Sequence, residues 1–355
     1  MRTGLKLLSV VGVSLLMLLA QPALASCFWQ SGNTMPKVVT LYGPAVFAPR
    51  DVPVGTTLNA TGTVYRLNFG DTMECYLSSM YKTDLVGPVV NSVPVDVLNV
   101  PANALLQTNV PGIGLAIYMT GFASSWQMPA GNPSRFIPFT LTRNAPTSAI
   151  MTQAMMRYAL VKIGEIPPGT HTIRQLVATG SSDSGNHMFD LRFSTTVTLA
   201  GCSLPEAPGN QIDVAMGSWE RRVFNGKHST TAAQPFAITL NSCIAGSNYP
   251  NNGANAYFTG NFANIQIDGS KTSTILDAAN GILSLSSDST AQGVAIQVLR
   301  DNGTPMNLGQ PVQLNRVVNG TTAVPLKARY IQTGDGPTPT PGTANGHASF
   351  TVTYR

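Results

Sequence analysis

Charge is scarce in this chain. Asp, Glu, Lys and Arg together make up 10% of its 355 residues, against roughly a quarter in ordinary soluble domains. So few ionic groups leave no basic stripe, which argues against nucleic acid as a partner. Histidine is rarer: His171, His187, His228 and His347 are the four present. None lies in H-E-x-x-H, and no G-x-S-x-G occurs. Gly112-Ile113-Gly114 lacks the third glycine of a dinucleotide fingerprint and reads as the start of a strand. Thr179 to Asn186 offers a single carboxylate, Asp183, and reads as a hairpin tip rather than a calcium loop. Nothing assembles an acid, a base and a nucleophile. The expectation is therefore a protein that is not an enzyme and has no cofactor and no metal.

Long apolar runs are confined to the beginning. Arg2 and Lys6 precede a nearly continuous apolar stretch, Leu5 to Ala20, and Ala23-Leu24-Ala25 is a small-x-small cleavage pattern. This is the pattern of a secretory signal peptide spanning residues 1–25. Cleavage there removes two cations, so that 21 Lys and Arg become 19 against 16 Asp and Glu. The mature chain is expected to be exported, starting at Ser26-Cys27.

Cysteine is limited to Cys27, Cys75, Cys202 and Cys243, with no C-x-x-C among them. Each half of the chain holds two. The simplest pairing is one disulfide per domain, Cys27–Cys75 and Cys202–Cys243, each worth about 4 kcal/mol in the loop-entropy picture. Metal ligation is the rival reading, and both export and the spacing oppose it.

Turn formers are plentiful instead, with 33 Gly and 25 Pro. Asn-Gly pairs at Asn225, Asn280, Asn302, Asn319 and Asn345 separate short alternating or β-branched runs. Ala149 to Ile163 is rich in Ala, Met and Leu and has helical composition, yet Arg157 to Ile163 reads better as a strand ahead of the Pro167-Pro168-Gly169 turn. The last residues alternate from Ala344 to Tyr354, with Phe350, Val352 and Tyr354 on one side. Many short strands spaced by turns predict an all-β protein of two β-sandwich domains, residues 26–199 and 200–355.

From Gly201 onward the chain resembles the pilin domains of chaperone–usher fimbriae. The resemblance rests on GCSLPEAPGNQIDVAMG, FNGKHSTTAAQPFAITLNSC, GVAIQVLRDNGTPMNLG, ARYIQTG and the alternating tail. Its particular marks are Cys202 with Cys243 about forty residues on, Gly342 fourteenth from the end, and the penultimate Tyr354. It implies an immunoglobulin-like sandwich that lacks its last strand, leaving an apolar groove and an unpaired edge. A periplasmic chaperone would first fill the groove. At the outer-membrane usher, the N-terminal strand of an adjacent pilin subunit would replace it, which is donor-strand complementation. Ala348, Phe350, Val352 and Tyr354 would then face the groove, and the carboxylate of Arg355 would be gripped by the chaperone.

A shaft pilin carries a donor arm ahead of its first cysteine. Here Ser26 alone precedes Cys27 in the expected mature chain, and another domain precedes Cys202. The expectation is a two-domain tip adhesin of the type 1 kind, at the distal end of a fimbrium on the cell surface. The N-terminal, lectin-like domain resembles this group less closely. Tyr76-Leu77-Ser78 stands where the mannose binders carry an Asn-Asp pair, so no mannose specificity is implied. A host or surface glycan would need an aromatic platform beside amides and hydroxyls. Trp126, Gln127 and Asn132 are the first candidates, Trp29 and Asn33 the second. The alternative function is a minor tip pilin that initiates assembly or makes fibre–fibre and biofilm contacts.

Overall fold

The computed structural model describes residues 27–76, 79–90, 99–121, 126–127, 135–144, 147–206, 210–246, 261–335 and 339–354. The expected signal peptide (1–25), Ser26, Asn132 and Arg355 lie outside them. The regular secondary structure of the described residues is strand, apart from one 3-10 turn at Arg221–Val223. In chain order the first strands are β1 (Cys27–Trp29), β2 (Lys37–Tyr42), β3 (Val46–Pro49), β4 (Tyr65–Cys75), β5 (Ser79–Leu85) and β6 (Leu106–Gln107). Then come β7 (Ile113–Gly121), β8 (Phe139–Arg143), β9 (Ala149–Lys162), β10 (Thr170–Ser182) and β11 (His187–Ser203). The rest are β12 (Gln234–Ile244), β13 (Phe262–Gly269), β14 (Ile275–Asp277), β15 (Ile282–Leu283), β16 (Val294–Arg300), β17 (Val312–Arg316), β18 (Gly320–Gln332) and β19 (Ala348–Tyr354).

Two compact units divide the chain, and the division is not a single cut. Unit 1 comprises residues 1–44, 61–163 and 172–195, and unit 2 comprises 45–60, 164–171 and 196–355. Two segments from the first half thus group with the C-terminal unit. They do so through backbone bonds: β3 pairs in parallel with Val197–Ala200 of β11, and Leu199 N donates to Gly169 O at 3.0 Å.

Unit 1 is built from one sheet in the order β1-β4-β9-β7-β6 and a second in which β2, β11, β10, β5 and β8 follow one another. Rings close the space between them. Phe69 of β4 lies 5.4 Å from Phe189 of β11, and Tyr158 of β9 lies 4.8 Å from Phe193 of β11. Strand β9 runs the whole way from Ala149, although its first half is composed like a helix. Strand β4 pairs its first half, Ala149–Met156, and β7 its second, Met155–Lys162, and these ladders outweigh a propensity difference of a few tenths of a kcal/mol per residue.

Unit 2 sets β14-β15-β16-β18-β12, continued by the end of β11, against a three-stranded sheet β17-β13-β19. Ile238, Leu240, Ile265, Val324, Leu326, Val352 and Tyr354 fill the core between them. Pro325 in β18 is tolerated because β16 pairs no further than Leu326, opposite Arg300.

The C-terminal alternation forms a strand only from Ala348. Before it the chain runs beside residues 286–292, where Ser286 N bonds Asn345 O at 2.8 Å and Thr290 N bonds Thr343 O at 2.9 Å. Gly342 sits in this approach: a β-carbon there would come 2.5 Å from the backbone nitrogen of Ala291 and collide with Thr290. Backbone cannot yield as a side-chain tip can. Gly342→Ala is expected to lower the stability of unit 2 by about 1–3 kcal/mol, read as a lower urea midpoint with an unchanged slope.

Candidate functional site

In an antiparallel ladder each residue directs both its N–H and its C=O to one side of the strand, and successive residues alternate. Strand β19 pairs with β13 from Ala348↔Gly269 to Tyr354↔Ala263. Tyr354 N donates to Asp51 Oδ2 at 2.9 Å, and Tyr354 O accepts from Asp51 N at 3.2 Å, so Tyr354 faces away from β13. His347 O instead accepts from Ser270 N at 3.0 Å, on the β13 side. Alternation then assigns Ser349, Thr351 and Thr353 to the ladder with β13, and Ala348, Phe350 and Val352 to the other edge. Among the described residues no strand pairs with that edge. The side chains of Phe350, Val352 and Tyr354 meanwhile reach the core.

A second unpaired segment borders the same core. Residues 211–217 lie outside the named strands but alternate in burial, with Ile212, Val214 and Met216 half-buried and Asp213, Ala215 and Gly217 exposed. Ile212 packs on the cluster that contains Val352 and Tyr354. This is the period of a strand, with no ladder among the described residues. The same cluster holds the disulfide between Cys202 and Cys243, where β11 meets β12 beside Gly201↔Ile244.

In unit 1 the structure joins Cys27 to Cys75, direct register partners on β1 and β4. The aromatic platform expected at the tryptophans is not presented by either ring. Trp126 is 3% exposed and meets Tyr81 edge-on at 6.4 Å. Trp29, also 3% exposed, donates its indole N–H to Met188 O at 3.0 Å. Each is core because its backbone position points inward, and burial of so large a ring is strongly favourable. Gln127 is exposed, and its backbone bridges to Thr142. Asn33 is exposed, with its Oδ1 accepting from Met35 N at 2.9 Å.

The exposed aromatic surface lies on the opposite side of β1. With Cys27 and Trp29 inward, Phe28 must turn outward. It meets Tyr76 at 5.2 Å between ring centres, and Tyr76 is 47% exposed. Glu74 stands opposite Phe28 in the ladder, Ile150 stands opposite Glu74, and Gln30 Nε2 donates to Glu74 Oε2 at 2.9 Å. Two rings, a carboxylate and an amide thus share one small area. The alternation Cys27-Phe28-Trp29 is the sequence signal that could have located it.

Next to this area, Asp71 anchors the turn after Trp29. Its carboxylate binds Lys37 Nζ at 2.8 Å, accepts from Ser31 Oγ and accepts from Thr72 N at 2.7 Å. The Lys37 ammonium, then the Ser31 hydroxyl, hold its pKa far below the ordinary carboxylate range. A depressed carboxylate stabilises the fold above its unfolded pKa of about 3.9, and this contribution is lost as pH falls toward its folded value. Urea midpoints followed from about pH 5 to pH 2 should fall, and Asp71→Asn should flatten that fall.

Residues 191–355 match the family model of the fimbrial proteins. The match covers the C-terminal part of this chain. Over 167 residues the chain is 28% identical to the type-1 fimbrial protein A chain of Escherichia coli (strain K12), covering 46% of this chain and 82% of that protein. Among solved structures, the CupB6 tip adhesin from Pseudomonas aeruginosa is 16% identical, with 92% of this chain and 94% of that chain covered at a TM-score of 0.36. The receptor binding domain of the plasmid-born adhesin MrkD1P of Klebsiella pneumoniae is 17% identical, covering 51% of this chain and 99% of that domain at a TM-score of 0.31.

Proposed function

We propose that this chain is a fimbrial tip adhesin: unit 2 receives a β-strand from an adjacent pilin subunit, and unit 1 recognises a surface glycan. One observation carries the first half. Two segments over one core, residues 211–217 and the outer edge of β19, have no strand partner among the described residues. A single inserted strand satisfies both, adding backbone bonds to β19 and covering the apolar side chains of Ile212, Val214 and Phe350. A periplasmic chaperone would supply that strand before the outer-membrane usher delivers the next subunit, and the assembled protein would lie outside the cell in a pilus.

The pairing of β11 supports a distal position. In a single-domain pilin the residues ahead of the first cysteine are the strand given away. Here the residues ahead of Cys202 already pair, Phe189–Ser194 with β2 and Val197–Ala200 with β3. Leaving would break two ladders. A subunit that accepts and does not give ends the fibre, and its remaining unit is free to bind. The rings of Phe28 and Tyr76 offer apolar faces to a pyranose ring, while Glu74 and Gln30 offer an acceptor and a donor to its hydroxyls.

Purified full-length chain is expected to aggregate alone and to be rescued by a synthetic peptide of alternating Val and Thr. At free peptide near 100 times its Kd, the gain should be about 2.7 kcal/mol, measured as a raised thermal midpoint. A chain that stays monodisperse, with a midpoint no peptide moves, would refute the accepting edge. On a glycan array, Tyr76→Ala should lose about tenfold or more in binding, equivalent to about 1.4 kcal/mol, with its circular dichroism unaltered. Silence of the wild type on both the array and whole cells would count against the adhesin.

A further inference from the structure

Within unit 2, residues 45–60 form a strap that ends at the last turn of the C-terminal strand. Strand β3 runs beside β11 to Pro49, and Arg50 N continues the ladder by donating to Ala200 O at 2.9 Å. The chain then turns, and a second turn follows in which Thr56 N bonds Pro53 O at 3.2 Å. Pro49 and Pro53 bracket Arg50-Asp51 and restrict its backbone. The Arg50 side chain is fixed from three directions. Nη1 donates to Cys202 O at 3.1 Å, Nε lies 3.2 Å from Asp51 Oδ1, and the guanidinium stands 4.7 Å from the centre of the Tyr354 ring.

Asp51, so held, does with one residue what the next strand would do. Its N–H bonds the outward C=O of Tyr354, and its carboxylate takes the outward N–H. Both bonding groups at the C-terminal end of the edge are therefore occupied, whereas those of Ala348, Phe350 and Val352 have no strand beside them among the described residues. We infer that Arg50 and Asp51 form a built-in stop that sets the register of a strand added along β19, restricting it to Ala348, Phe350 and Val352. The inference rests on the accepting-edge reading and names the residues that determine its specificity.

The stop addresses an ambiguity that alternation leaves open. Slipping an added strand by one residue turns its apolar face to solvent and is rejected by burial. Slipping by two keeps the apolar face inward, so side-chain pattern alone discriminates weakly against it. A slip toward the C-terminus requires bonds to Tyr354, and there the strand would have to displace Asp51 and leave Arg50 without its nearest carboxylate. Asp51 thus removes the alternative that hydrophobicity does not.

Hydrogen exchange on the full-length chain, with Val/Thr peptides of graded length as the probe, tests this. With the shortest peptide that keeps the chain monodisperse, the Tyr354 amide should be protected, while the outward amides that this peptide does not reach exchange fast. Saturating peptide should slow Phe350 and Val352 and leave Tyr354 unchanged, and affinity should stop rising once the peptide spans Ala348 to Val352. Asp51→Ala should expose the Tyr354 amide, let the gain in affinity continue for one further residue pair, and tighten the longest peptides by about tenfold. Asp51→Asn keeps an acceptor oxygen and should behave as wild type. Identical length profiles for wild type and Asp51→Ala, or a Tyr354 amide whose exchange changes on peptide binding to the wild type, would overturn the stop while leaving the accepting edge intact. Failure of every peptide to bind would overturn the edge, and the stop with it.

Discussion

Strand β19 has a neighbour on one side only. Its side chains complete the core of unit 2, while half of its backbone groups point at no protein strand among the described residues. Because N–H and C=O directions are coupled to side-chain alternation, the residues that bury Phe350, Val352 and Tyr354 are the same ones that offer bonds outward. Side-chain burial and the outward-facing backbone groups are therefore two consequences of one alternation. The half-buried segment 211–217 and the carboxylate of Asp51 both derive their meaning from that geometry.

Much of this was legible beforehand where local pattern and global structure agree. The tail's alternation, the Asn-Gly turns and the distribution of four cysteines all concern residues near in sequence or constrained by chemistry. The extent of β9 was obscured because Ala and Met carry helical propensity, and only two flanking ladders, remote in sequence, reveal the strand. The start of β19 lay later than Ala344 because Gly342 and its neighbours pass too close to residues 286–292 for a ladder with β13. No local rule reports such an approach.

The least legible features were those made by segments far apart in the chain. Residues 45–60 look like an ordinary stretch of the first half, yet Arg50 and Asp51 meet Tyr354 some three hundred residues later. Ring size drew attention to Trp29 and Trp126. Burial shows the opposite logic, since these two rings lie in the interior and the smaller Tyr76 remains at the surface beside Phe28.

Strand β1 is three residues long and pairs with β4 alone. So short a strand is marginal by itself, and the Cys27–Cys75 covalent bond fastens it. The buried Trp29 ring is its other anchor, so Phe28 is held beside Tyr76 by one covalent tie and one packed side chain. Reduction would release the Cys27 end of β1, which couples the arrangement of these two surface rings to the redox state of the surroundings.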